Sequence, residues 1–469
     1  MRLDIDKIRW PKIEIASHRR ALGKVLRKDY AERAADHKSE SLLTPDSKSR
    51  KGLRVAIPAA VVAAGVVAVL AFSLVGSPPG CESGLTTMSE SQALAARIET
   101  YTTGFDFALF REVMEEGGEE NIVLSPLSAR IALAMAYNGA SDEVAEEMAY
   151  VLDFEGMSLE EVNAMMRDLI TSLLGADEEV QLEIANSIWS DNEVTFKPDF
   201  EQRCVESYDA EVASVDFEGG EAAGKIDHWV DEKTHGKIPG IADAFELDEL
   251  AAMLINALYL KGTWTVQFSP EITDEQDFHL AGGGTKKVPM MHQAGQYDYY
   301  ENEDFQAVSL PYGNERLSMY VFLPREGKSL DDFVSGLNRE NWESWMAAFD
   351  YREGMITLPR YNMEYEKDLS PALSALGMGS AFSPNGYAFP KMVSEGSLWI
   401  DKVVQKTYMS VNEEGTEAAA ATGIGMTWKH SPAPVQPFIM EINRPFFFAI
   451  RDNQTGTLLF MGAIFEPQE

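Results

Sequence analysis

Cysteine and histidine are scarce in this chain, and basic residues are scarce beyond its first 54 positions. Each shortage removes a class of protein. Two cysteines in 469 residues, Cys81 and Cys204, cannot staple a disulfide scaffold, and they fit an oxidising or a reducing compartment equally well. Cys204 lies in a mixed helical pattern, where a buried thiol is expected rather than a nucleophile. The seven histidines, His18, His37, His228, His235, His279, His292 and His430, show no metal-ligand spacing and include no His-Glu-x-x-His. No metal and no cofactor is therefore expected. No catalytic triad is recognisable either, which places an enzyme last among the readings. Gly282-Gly283-Gly284-Thr285-Lys286-Lys287 lacks the glycine spacing of a phosphate loop and reads as a hairpin tip.

Charge is strongly one-sided. The formal net charge is −35, yet residues 1–54 hold 15 of the 40 Lys and Arg and only 8 of the 75 Asp and Glu, so the remainder carries −42. Such a body repels nucleic acid and anionic lipid headgroups, so no nucleic-acid partner is expected, and it attracts basic partners at low salt. Solubility alone accounts for the acidity equally well. Acidic clusters at 115–120 and 177–179 read as solvated helix ends or loops.

What is present is a large apolar content, 45% of the chain, with 10% aromatics, enough for an extensive core. Val55 to Val75 form an uncharged apolar run of the length a membrane-spanning helix needs, with Pro58 in its first turn. Lys48, Arg50, Lys51 and Arg54 border it, so the basic tail of residues 1–54 is expected on the cytoplasmic side and the rest outside the cell. The expectation is a single-pass anchor over 55–76. A secretory signal fits less well, because its charged region is much shorter than 54 residues. Pro78-Pro79-Gly80 ahead of Cys81 fits a lipid anchor poorly. Residues 77–94 read as a linker, rich in Gly, Pro, Ser and Thr at its start. Beyond it, Phe105, Phe107, Phe110 and Val113 recur at near-helical spacing, and Ile131–Tyr150 is a helix candidate with an interior start at Ser141-Asp142-Glu143. Ala252–Leu260, Leu317–Leu323, Met355–Leu358, Phe446–Ile450 and Thr457–Phe465 have strand character. Scattered helices followed by strand-rich segments predict an α+β domain with mostly antiparallel pairing.

One stretch decides the functional reading: Val411-Asn412-Glu413-Glu414-Gly415-Thr416-Glu417-Ala418-Ala419-Ala420-Ala421-Thr422. Local propensity alone makes the four alanines a short helix. Their surroundings point elsewhere. Asn121-Ile122-Val123-Leu124-Ser125-Pro126-Leu127-Ser128, Ile226-Asp227-His228-Trp229-Val230 with Thr234-His235-Gly236-Lys237-Ile238, and Asn256-Ala257-Leu258-Tyr259 with Lys261-Gly262-Thr263-Trp264 follow one another in order. Val288-Pro289-Met290-Met291, Leu310-Pro311-Tyr312, Leu323-Pro324, Asn443-Arg444-Pro445-Phe446 and Phe460-Met461-Gly462 continue the series. Together these blocks resemble the serpin family of serine protease inhibitors over about residues 95–467.

The resemblance implies a single large domain at 95–469, with three β-sheets, surrounding helices and an exposed reactive-centre loop. It further implies a suicide-substrate inhibitor, a monomer, whose cut loop enters the central sheet and traps the protease. The hinge would be Glu414, Gly415, Thr416, Glu417 and Ala418–Ala421, and the reactive bond Lys429–His430. A lysine there points to a trypsin-like protease; cleavage after Trp428 or Met426 would suit a chymotrypsin-like one. Ser125, Ser128 and Asn256 match the family's polar cluster beneath the opening sheet, with Gln405 where a histidine is usual, and Trp264 marks the start of insertion. The residues themselves agree with a strand: Thr416, Ala418, Ala420, Thr422, Ile424 and Met426 form one uncharged face, and no proline interrupts 412–431. A membrane-tethered binding or adhesion protein that keeps the scaffold without inhibiting is the competing reading.

Overall fold

Local chemistry sets the helices first. The computed structural model describes residues 90–247, 250–384, 387–416 and 436–468, with side chains from residue 104. Helix α1 (Glu90–Gly117) is followed by α2 (Pro126–Tyr137), whose N-cap Ser125 accepts from the Ser128 N–H and whose Pro126 occupies the first turn. α3 (Asp142–Val151) begins at the expected interior start: Ser141 accepts from Val144 N–H, and Asp142 and Glu143 sit at the positive end of the helix. The candidate helix Ile131–Tyr150 is therefore two helices, broken at Asn138-Gly139. α4 (Leu159–Leu174) carries a complete capping box between Ser158 and Glu161. α5 (Pro198–Tyr208) and α6 (Ala222–Lys233) complete the helices that matter for the site.

The strands form two hydrogen-bonded assemblies. One runs β1 (Ile122–Leu124), β15 (Leu458–Ile464), β14 (Phe446–Asp452), β8 (Leu317–Pro324), β7 (Phe305–Pro311), β6 (Thr285–Glu301), β9 (Asp350–Pro359) and β13 (Phe438–Glu441), with β5 (Asp274–His279) paired to β6. β6 pairs with β5 and β9 over Thr285–Tyr299 but with β7 only at Tyr299–Glu301. This one long strand therefore joins two sheets end to end. The other assembly runs β10 (Tyr361–Asp368), β11 (Val404–Val411), β12 (Gly415–Thr416), β4 (Ala252–Thr263), β2 (Val180–Asp191) and β3 (Ala210–Val215). Three sheets result, as expected, and pairing is antiparallel except for β2–β3 and β9–β13.

The core lies where β14 and β15 pass between helices and the six-stranded sheet. All seven residues of β15 are buried, which is why Leu458–Ile464 reads as a continuous apolar run. Phe447 meets Phe110 of α1 edge-on at 5.4 Å, while Phe446 and Phe448 face Tyr361 of β10. Gly462 is required there, because a β-carbon would run into the Phe448 ring. Cys204 is buried on α5, and burial pushes its thiol up to about 12, so it is an inert core group, as expected.

The membrane placement is corrected. No helix among the described residues is long and apolar enough to cross a membrane. The longest described helix, α1, carries Arg97, Glu99, Asp106, Arg111 and Glu112 along its length, which hydrocarbon would not accept. A single-pass anchor with the domain outside the cell is thus not supported. The apolar run at 55–75 that prompted it, the tail of residues 1–54 and Cys81 lie outside the described residues.

Arg130 ties three helices together. Its guanidinium donates to the Asp106 carboxylate at 2.8 Å and to the Leu152 carbonyl at 2.7 Å, and lies 4.7 Å from the centre of the Phe105 ring. Burial raises the Asp106 pKa to about 6 against the opposing pull of Arg130. Removing the guanidinium strands a buried carboxylate, so Arg130→Met should lose about 3–5 kcal/mol at pH 7.5. Without Arg130 the Asp106 pKa lies higher still, so as the pH falls the variant's carboxyl is protonated before that of wild type and the deficit shrinks. Urea denaturation at pH 5 and pH 7.5 measures both; an equal deficit at the two values contradicts the assignment.

Candidate functional site

β4 alternates cleanly between two environments. Leu254, Leu258 and Leu260 point toward the main core, while Met253, Ile255 and Ala257 pack against Ile226, Trp229 and Val230 of α6. β2 covers one edge of β4 along its whole length. The other edge faces β11, yet among the described residues β4 and β11 share no ladder pair. Only the two residues of β12 stand between them: Gly415 opposite Thr263, and Thr416 opposite Gly262 on one side and Val411 on the other. Below Thr416, nothing among the described residues pairs with the facing edges of β4 and β11. A cavity of about 260 Å³ lies there, walled by Leu254, Asn256 and Leu258 of β4 and by Gln405 and Thr407 of β11. Leu254 and Leu258 are only half-buried although they point inward, because the described chain places nothing over them.

The upper end of this slot is fastened by the segment that leads into β12. Asn412 forms a tight turn: its side-chain oxygen accepts from the N–H groups of Glu414 at 3.0 Å and Gly415 at 3.2 Å, and its own N–H donates to the Gly415 carbonyl. Trp264 clamps the turn, its backbone N–H donating to the Glu414 carbonyl and its indole Nε1–H to the Asn412 carbonyl, both at 2.9 Å. The indole stacks on Tyr312 at 4.5 Å, which fixes its plane. Glu413 is buried; it accepts from Thr273 Oγ1 at 2.8 Å and lies 3.5 Å from Arg360. Gly415 has φ +155°, and a β-carbon there would be driven into the Gly262 carbonyl, so only glycine fits between the strands.

The polar cluster read from the sequence is divided by the slot. On the β11 side, Gln405 is buried and grips the N-terminus of α2 twice: its Nε2 donates to the Ser125 carbonyl at 2.8 Å and its Oε1 accepts from the Ser125 N–H at 2.9 Å. Ser125 Oγ in turn donates to the Leu459 carbonyl at 2.7 Å and accepts from Ser128 N–H at 3.2 Å. Asn256 stands on the opposite wall. Its Nδ2 donates to Asn186 Oδ1 at 2.7 Å, and Asn186 Nδ2 donates to the Tyr208 carbonyl at 2.6 Å. The Asn256 Oδ1 is buried with no partner among the described residues. Trp264 sits against the turn at Asn412–Glu414, apart from the others. Asn186, Thr273 and Arg360 are structural participants that the sequence reading missed. The polar pair Asn186-Ser187 inside the apolar stretch Ile184–Ile188 was the available signal for Asn186. Glu417, Ala418–Ala421, Lys429 and His430 lie outside the described residues.

Among the described residues, only Gly415 and Thr416 of β12 stand between β4 and β11, above the cavity. The family model for serpins (serine protease inhibitors) matches residues 100–467, and the chain belongs to that family. It is 36% identical over 373 residues to an uncharacterized serpin-like protein of Thermococcus kodakarensis, covering 78% of this chain and 84% of that one. It is 34% identical over 382 residues to the leukocyte elastase inhibitor of Bos taurus, covering 79% of this chain and all of that one. The solved structure of the thermophilic serpin tengpin in its native state superposes with a TM-score of 0.72 at 30% identity, covering 81% of this chain and 95% of that one.

Gln405 carries a stability prediction. Gln405→Leu keeps the volume but leaves the buried Ser125 N–H and carbonyl without their side-chain partner, at a cost of about 1–3 kcal/mol. Thermal melting of the purified protein should show the loss. A Tm unchanged from wild type means that the two hydrogen bonds do not hold β11 to α2.

Proposed function

We propose that the protein is a serine protease inhibitor that acts as a suicide substrate, taking its own cut loop into the slot between β4 and β11. The parted edges beside β12 are the observation that carries this reading. Extending the pairing of Thr416 along both strands gives the register of the inserted segment. Ala418 comes opposite Leu260 and Met409, Ala420 opposite Leu258 and Thr407, and Thr422 opposite Asn256 and Gln405. All of these positions on β4 and β11 face the core side of the sheet, so the uncharged set of the loop fills the cavity. Thr422 brings a hydroxyl beside the orphaned Asn256 Oδ1. Glu417 falls on the other face, opposite Lys261 and Ser410, where a charge is tolerated.

By this register Met426 pairs with Ala252, the first residue of β4, leaving Thr427, Trp428 and Lys429 to reach the cut. Lys429–His430 is the proposed reactive bond, and a trypsin-like protease with an acidic specificity pocket is the proposed target. The acidic body favours encounter with a basic protease at low salt. About ten added ladder hydrogen bonds at ~0.5–1.5 kcal/mol each, with apolar burial in the cavity, supply the drive.

Incubation with trypsin should give a complex that survives SDS, with a cut after Lys429 found by mass spectrometry. Ala420→Glu places a charge on the core face; it should leave the loop cleavable and reduce the SDS-stable complex at least tenfold. Clipping of the wild-type loop with no stable complex, by trypsin and by chymotrypsin, contradicts inhibition and favours a scaffold that only binds.

A further inference from the structure

The segment that follows α6 crosses the slot on the face opposite the core. Thr234 turns the chain, its Oγ1 donating to the Val230 carbonyl at 2.8 Å and accepting from Ile238 N–H at 3.1 Å. His235 and Gly236 follow with φ +52° and +77°, so the chain bends sharply at consecutive left-handed residues. The imidazole lies on the β4 side: its Nε2 is 3.0 Å from Glu183 Oε1 of β2, and its ring packs on Tyr259 at 4.6 Å. Two residues later the Lys237 ammonium lies 5.0 Å from the centre of the Tyr408 ring, which belongs to β11. Further on, Asp243 pairs with Lys406 of β11 at 2.9 Å, and Lys402 donates to the Ala244 carbonyl at 3.4 Å. Thr234–Ala244 is thus a strap pinned on both banks of the slot. A strand entering between Tyr259 and Tyr408 must pass beneath it.

The pin on the β4 bank contains the strap's histidine. Burial works against the Glu183 charge, but hydrogen bonds from Gln181 and His235 outweigh it and hold this carboxyl below the usual range. The other groups at the imidazole are Gln181 of β2 at 3.2 Å and Tyr259 of β4; Asp231, Glu232 and Lys233 precede it at the end of α6, with Lys233 paired to Glu211 of β3 at 2.6 Å. Carboxylates and ammonium groups keep their charge between pH 6 and pH 8, and imidazole is the group that changes there. A protonated imidazole holds a carboxylate by a charge-assisted hydrogen bond, about twice as strong as a neutral one.

We propose that His235 is a positioning residue for loop insertion, a proton-tightened pin that holds the strap across the slot and slows the entering strand at acid pH. This rests on the inhibitory reading above. Slower insertion gives the acyl-enzyme more time to hydrolyse, so more inhibitor is consumed for each protease trapped. The pair is half-exposed, which limits the effect to roughly threefold.

The test measures the molar ratio of inhibitor needed to silence trypsin, for wild type and His235→Gln, at pH 6 and pH 8. Glutamine keeps a hydrogen-bonding group but carries no charge, and comparison at equal pH cancels the pH dependence of the protease. The ratio for wild type should exceed that of His235→Gln on the order of threefold at pH 6 and match it at pH 8. Glu183→Gln should behave as His235→Gln does. Equal ratios for all three proteins at both pH values overturn the pin while leaving the inhibitory reading intact. No SDS-stable complex at any pH overturns the inhibitory reading and this inference with it.

Discussion

A strand edge inside a protein presents a row of N–H and C=O groups that must find partners, and here two such edges face each other. β4 is satisfied by β2 on one side, and β11 by β10 on one side. On their inner sides the described chain supplies only Gly415 and Thr416. Every other feature of the site follows from that shortfall. Leucines on the inward face stay half-open, an asparagine oxygen has no partner among the described residues, and a cavity lies between the two strands. Most proteins cover or blunt such edges. The proposed mechanism fills these with the segment that follows Thr416.

Control over the gap is spread among a few contacts of ordinary strength. At the top, Trp264 and Asn412 hold the turn that leads into β12, and Gly415 permits the close approach to Gly262. In the middle, Gln405 ties β11 to the start of α2, so the right bank is fixed to the helix beneath it. Asn256 and Asn186 do the same for the left bank through Tyr208. Across the outside runs the strap from Thr234. None of these contacts bridges the two banks directly at the level of Asn256 and Gln405, so opening breaks no hydrogen bond there. An amide at 405 also makes its two bonds independently of pH, which an imidazole cannot do.

Much of the fold could be read from the chain because single elements state their own chemistry. The runs at Phe446–Ile450 and Leu458–Ile464 are buried on both faces and so are apolar throughout, and Ser141-Asp142-Glu143 marks a helix start wherever it occurs. The need for glycine at 415 could be read from the chain as well. The slot could not, because it is a property of pairing: periodicity places Leu254 and Gln405 on inward faces but does not show that their strands fail to meet. The division of the polar cluster was hidden for the same reason. Asn138-Gly139 broke a helix that the spacing of apolar residues alone would have continued. The apolar run at 55–75 prompted a membrane anchor by composition only, and no element among the described residues supports one.

Hydrogen exchange on the amides of β4 and β11, before and after the loop is cut, tests the central claim most directly. If the severed segment becomes a strand between them, N–H groups along both inner edges gain partners and their exchange slows by orders of magnitude, while β2 and β10 change little. If the cut and uncut proteins exchange at the same rates along Ala252–Lys261 and Val404–Ser410, the gap is not filled and the account fails.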